Sequence, residues 1–173
     1  MKPTLASAEV MSKVTVCLST AWEFLSGERR SFEPVADPVT PPHAEFSYLL
    51  PLKARASNSV GGVGVFIQTA DARVVAANMF GELPHEVQVS NLGDACAEAC
   101  NVLAECVLLN VTNHVNVTMG LPFRADDFVY KEICQKGAVA ACYRCSTEDG
   151  HLYVVAYGPA RESELSKFAN LSP

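Results

Sequence analysis

Ten prolines are spread through this chain, yet none falls between Val87 and Leu109. Proline removes a backbone donor and clashes with the preceding helical turn, so a long helix can form only where it is absent. The window is interrupted only by Gly93 and is filled largely with Ala, Cys, Val and Leu, which predicts the longest helix of the chain over 87–109. A helix of that length needs a sheet or other helices to cover its apolar side, and this requirement shapes everything else the chain can do.

Within that window the run DACAEACNVLAECVLLN carries four polar residues, Asp94, Glu98, Asn101 and Glu105, at spacings of four, three and four. At about 100° per residue, Asp94, Asn101 and Glu105 all fall within roughly 60° of Glu98, so the four form one ridge. Cys96, Cys100, Leu103 and Val107 lie about 140° to 200° away and make the core-facing side. A solvated polar face is the ordinary state of a surface helix. This one is narrow, because nearly every other position is apolar, and that narrowness marks the ridge as a candidate site.

The other elements follow from periodicity. Val10, Val14, Cys17, Leu18, Ala21 and Leu25 keep a helical rhythm that Gly27 ends. Four prolines between Pro34 and Pro42 then predict a stiff connector. EFSYLLPLKARA (45–56) and VGVFIQT (63–69) read as two antiparallel strands around turn signals at Asn58-Ser59 and Gly61-Gly62. A short helix over 70–82 precedes the long one. VNVTMGLPF (115–123) reads as a strand ending in a turn, AVAACYRCS and HLYVVAYG as a hairpin joined through Asp149-Gly150, and the tail from Ala160 as a short polar helix or frayed end. Trp22 and Phe24 are expected to pack. The expectation is one α/β (α+β) domain over 1–173, an antiparallel sheet against long helices: an N-terminal helix in 1–30, a proline-rich connector in 31–44 and a core in 45–158.

Composition removes several classes of function. With 49% hydrophobic residues in 173, the chain can bury a real core, and a net charge of -6 with no basic cluster longer than Arg29-Arg30 disfavours nucleic acid and anionic membrane as partners. No apolar run reaches the roughly 18 residues of a membrane span, so the expectation is a soluble, cytoplasmic protein. Seven scattered cysteines, an odd number, read as reduced thiols. Cys142 and Cys145, three apart in a strand, point to opposite faces and cannot chelate together, which argues against zinc. Gly61, Gly62 and Gly64 lack a following Gly-Lys-Ser/Thr and a helix, which argues against a phosphate loop. Neither a metal nor a cofactor of its own is expected.

Asp94, then Glu98 after three residues, Asn101 after two more and Pro122 after twenty more, in a Gly-Leu-Pro-Phe turn, resemble the signature of the CheC/CheX family of chemotaxis phosphatases. That signature is an acidic or Ser residue, three residues, Glu, two residues, Asn, about twenty-two residues, Pro. The preceding GGVGVFIQTADARVVAANMFGE is similar to the strand and short helix before the active helix of CheX-like domains. A single Glu-x-x-Asn motif points to the CheX type, whose members resemble symmetric dimers.

The resemblance implies hydrolysis of the aspartyl phosphate on a CheY-type response regulator in chemotaxis or two-component signalling. Asn101 would hold the attacking water and Glu98 would take the partner's active-site Lys. Asp94 would orient the helix or touch the partner, and Pro122 would shape the motif turn; Glu105 lies outside the signature and reads as solvated surface or partner rim. The phosphorylated receiver domain would bring the Mg²⁺. The alternative is a non-catalytic CheX-like module that binds a signalling partner, since a fold is inherited more firmly than an activity.

Overall fold

The structure is a computed structural model that describes residues 8–36, 44–54, 59–111, 117–126, 139–148 and 150–161. Helix α1 (Ala8–Ser26) leads into strands β1 (Phe32–Pro34), β2 (Phe46–Ala54) and β3 (Ser59–Ile67), then helices α2 (Thr69–Phe80) and α3 (Val89–Val111). Strands β4 (Val117–Met119), β5 (Phe123–Arg124), β6 (Val139–Thr147) and β7 (Gly150–Arg161) complete the order. The strands form one antiparallel sheet in the order β1-β6-β7-β3-β2-β4, with β5 also on β2. It is a mixed α/β fold with an antiparallel sheet and long helices, as expected.

The main core lies between the sheet and the three helices. Helix α1 sends Val14, Leu18, Trp22 and Leu25 into it, and its last turn closes with the Ser26 hydroxyl donating to the Trp22 carbonyl at 2.7 Å. From the sheet come Phe46, Tyr48 and Leu50 of β2, Val63, Val65 and Ile67 of β3, Tyr143 and Cys145 of β6, and Leu152 and Val154 of β7. Every second residue faces the helices, as a pleated strand requires. The alternate set, including Leu49, Phe66, Cys142 and Val155, builds a second buried cluster on the other face. Central strands buried on both faces account for the near-continuous apolar runs LLPL and VGVFI.

Several sequence expectations need correction. The proline-rich connector begins as strand β1, in which Phe32, Glu33 and Pro34 pair with Cys145, Arg144 and Tyr143. Pro34 is tolerated there because β1 is an edge strand with no outer neighbour needing its missing donor. Cross-strand charge pairing between Arg144 Nε and the Glu33 carboxylate at 2.6 Å, and the Phe32 N–H donating to Ser19 Oγ of α1 at 3.0 Å, hold it in place. Gly61 and Gly62 lie inside β3 rather than in a turn. A Cβ on Gly61 would stand 2.9 Å from the Tyr157 carbonyl oxygen, beside an irregularity between Val60 and Gly62, so glycine serves close backbone approach here.

Of the strand expected over 115–123, residues 115–116 lie outside the described residues and the rest is two pieces, β4 and β5, both on β2. Met119 faces Leu52 and Phe123 faces Leu49, so four steps along one strand (119 to 123) match three along the other (49 to 52). The extra residue bulges at Gly120-Leu121-Pro122, where Pro122 has no N–H to offer the ladder. Strand β7 runs on to Arg161 where the tail was expected to leave the sheet; residues 162–173, like 37–43 of the connector and Asp149 of the hairpin turn, lie outside the described residues. Trp22 packs as expected but Phe24 does not, being 76% exposed on the outer side of α1. Among the described residues no helix is long and apolar enough to cross a membrane.

Leu103, fully buried where α3 meets the core, is a direct test of this packing. Leu103→Ala should lower unfolding free energy by about 2–5 kcal/mol, whereas Glu105→Ala two residues on should stay within about 0.5 kcal/mol, both read by urea denaturation.

Candidate functional site

Helix α3 is clamped on three sides, against α1, α2 and the β2-β3 hairpin. Its inner stripe is made of small and medium side chains, Ala95, Cys96, Ala99, Cys100, Leu103, Ala104 and Val107, all buried. The four residues assigned inward from periodicity, Cys96, Cys100, Leu103 and Val107, are among them. Small groups let the helix axis approach its neighbours closely, so α3 is seated by shape over its whole length.

The opposite side is open. Asp94, Glu98 and Glu105 are exposed and Asn101 is half-buried. The Asn101 Nδ2 donates to the Glu98 Oε2 at 3.2 Å, one helical turn away. This bond pre-sets both side chains: one amide hydrogen is committed, and the carbonyl oxygen and second amide hydrogen are directed elsewhere. A neutral group that can both accept from and donate to water therefore stands beside a carboxylate on a rigid support. Among the described residues neither Asp94 nor Glu105 bonds to this pair, so the structure joins two of the four ridge residues and leaves the other two as flanking charges. Pro122 sits half-buried in the sheet-edge bulge beside Leu121, which is 85% exposed; its place is in shaping the strand.

Two residues near the N-terminal end of the ridge were not singled out from the sequence. The Tyr48 hydroxyl lies under α3, 3.4 Å from where a Cβ on Gly93 would stand, and burial raises its pKa, with the neighbouring Cys96 thiol adding to the effect and Arg124 opposing it. Arg124 of β5 is the register partner of Tyr48 and so shares its face of the sheet. Its guanidinium stacks over the Phe46 ring at 5.0 Å, and Nη2 donates to the Glu45 carbonyl at 2.9 Å. Only the pairing of β5 with β2, distant in sequence, brings Arg124 to the helix.

The described cysteines are free thiols: Cys17, Cys96, Cys100, Cys106, Cys142 and Cys145, with Cys134 outside the described residues. Cys142 and Cys145 do fall on opposite faces of the sheet, one in each core cluster. Burial pushes the Cys96 thiol up to about 12 and those of Cys142 and Cys145 up to about 11. No group of three His, Cys, Asp or Glu side chains arranged for a metal occurs among the described residues.

Thiols held protonated by burial make stability depend on pH. Their folded pKa values lie above the unfolded ones, so the stabilisation is fully present below about pH 9 and is lost as alkali ionises the unfolded chain first. The urea midpoint should fall continuously from about pH 9 towards about pH 12. At pH 8 the buried thiols should be inert to a disulfide reagent in the native state, and unfolding without reductant should release all seven.

No family model matches the chain, and no curated protein does. Solved structures do. The chemotaxis protein CheX of Desulfovibrio desulfuricans superimposes with a TM-score of 0.62 at 12% identity, covering 88% of this chain and 99% of that one. CheX in the CheX-CheY-BeF3-Mg²⁺ complex from Borrelia burgdorferi does so with a TM-score of 0.60 at 14% identity, covering 90% and 99%. FliM in its complex with SpeE from H. pylori gives 0.62 at 10% identity, covering 98% and 96%. The chain has the fold of the CheC/CheX proteins, a fold that also occurs in FliM.

Proposed function

We propose that this chain is a CheX-like phosphatase that removes the phosphoryl group from the aspartate of a CheY-type receiver domain. The observation that carries the reading is the Glu98–Asn101 pair, bonded at 3.2 Å and turned outward on a helix whose other side is locked into the core. The reaction is attack of water on phosphorus with the partner's aspartate carboxylate leaving, giving free aspartate and inorganic phosphate. Such a transfer asks mainly for positioning and charge stabilisation. The Asn101 amide holds the water in line, while Glu98 accepts from the ammonium of the receiver's lysine and fixes the helix over the phosphoryl group.

The receiver supplies the phosphoaspartate and its Mg²⁺, so the chain brings no metal of its own. Asp94 and Glu105 border the contact. The same reading has the protein act in the cytoplasm, in chemotaxis or another two-component pathway. It also has the protein act as a homodimer, although both sheet edges are already blunted, one by the three-residue β1 ending in Pro34 and the other by the bulge before β5.

A second reading is a recognition module without turnover. The observation in its favour is that the solved structures on this fold engage different partners, CheY in one and SpeE in another.

Asn101→Ala separates the two. It should abolish acceleration of phosphate release from a Mg²⁺-bound phosphorylated receiver and leave affinity for a beryllofluoride-loaded receiver within about threefold. Glu98→Ala should weaken both, since a charge-assisted contact is worth about 1.5–3 kcal/mol, roughly ten- to a hundredfold. Glu105→Ala should change little. A wild-type protein that binds a receiver but leaves its phosphoryl half-life unchanged is the recognition module.

A further inference from the structure

Helix α3 carries three carboxylates, Asp94, Glu98 and Glu105, and neither lysine nor arginine. A partner that holds phosphoaspartate and Mg²⁺ must present oxygen ligands, chiefly carboxylates, around the metal. A ridge whose charges are all negative repels such a surface, so a docking site built from it calls for a nearby cation, since such forces are screened beyond about 8 Å at physiological salt.

Arg124 is a cation at the Gly93 end of the helix. It is the register partner of Tyr48, whose hydroxyl lies under α3 3.4 Å from where a Cβ on Gly93 would stand, next to Asp94. Among the described residues no carboxylate pairs with Arg124, and one donor goes to the Glu45 carbonyl. An arginine has five donors in a planar fork, so most remain for another ligand. The stack on Phe46 and the bond to Glu45 hold the fork in one orientation, which reduces the entropy lost when it is used. The other arginine near the start of α3, Arg73, instead donates to the Val87 carbonyl at 3.3 Å and so braces the chain entering the helix.

We infer that Arg124 is a docking residue of this site, taking a carboxylate of the receiver domain at the Asp94 end of the ridge while Glu98 takes the receiver's lysine. Opposite charges at two points along α3 fix the direction in which the partner lies across the helix, which a row of carboxylates alone does not. The inference rests on the proposed function, because it identifies the partner's charge pattern at that same site.

The test measures affinity and association rate for a beryllofluoride-loaded, Mg²⁺-bound receiver as salt is raised, with wild type, Arg124→Glu and Arg124→Lys. Arg124→Glu should weaken binding about tenfold at low salt, chiefly through slower association, and the gap should close towards about 0.5 M salt. Arg124→Lys, which keeps the charge and loses the fork and its stack on Phe46, should fall between wild type and Arg124→Glu in affinity while keeping the wild-type salt slope. A loss in Arg124→Glu that is the same at every salt concentration reports altered packing on Phe46 and overturns the docking role, as does an affinity and salt slope equal to wild type. A wild-type chain that binds none of a broad set of receivers overturns the proposed function itself and Arg124's role with it.

Discussion

The structure depends on the fit of the Ala and Cys stripe of α3 into the space between α1, α2 and the β2-β3 hairpin. Alanine and cysteine add little bulk, so helix and sheet come close and dispersion contacts run along the whole helix. The same burial keeps the thiols protonated and makes them behave as small hydrophobes. With one side fixed in this way, the ridge on the other side has little freedom to roll or slide. A side-chain pair such as Glu98 and Asn101 can then stay pre-set without a buried network around it, and an enzyme whose contribution is positioning gains most from that rigidity.

The outer surface is correspondingly spare. In the proposed reaction the phosphoryl group arrives with its own metal and its own electrophilic centre, which would leave this chain to supply one water-holding amide and the charges that orient the partner. On the proposed reading Glu98 and Arg124 answer opposite charges on that partner, and the shared fold of CheX and FliM shows one scaffold in proteins that engage different partners.

Helical periodicity carries most of what was legible beforehand. Val14, Leu18, Trp22 and Leu25, and Cys96, Cys100, Leu103 and Val107, repeat at intervals only a helix can bring to one face, and the core contains all eight. The β2-β3 and β6-β7 hairpins were legible because their partners are neighbours in sequence. What local pattern could not reveal depends on distant pairing. Strand β1 looked like connector because prolines surround it, and only β6 makes it a strand. Gly61 looked like a turn because the carbonyl that needs its missing side chain belongs to Tyr157 of β7. Phe24 follows Trp22 by two positions, which on a helix turns it away from the core. At the site, Glu98 and Asn101 were readable as i and i+3 on one helix, whereas Arg124 comes to the Gly93 end of that helix only through its register with Tyr48.

In the proposed complex a receiver docks on the outer face of α3 with its phosphoryl site over Asn101, and a crystal structure of the chain with a Mg²⁺- and beryllofluoride-loaded receiver decides whether it does. The Asn101 amide should stand within hydrogen-bond reach, about 2.6–3.2 Å, of a water in line with the beryllium, and the Glu98 carboxylate should pair with the receiver's lysine. A receiver seated on any other surface, with Glu98 and Asn101 still open to solvent, would rule this docking out.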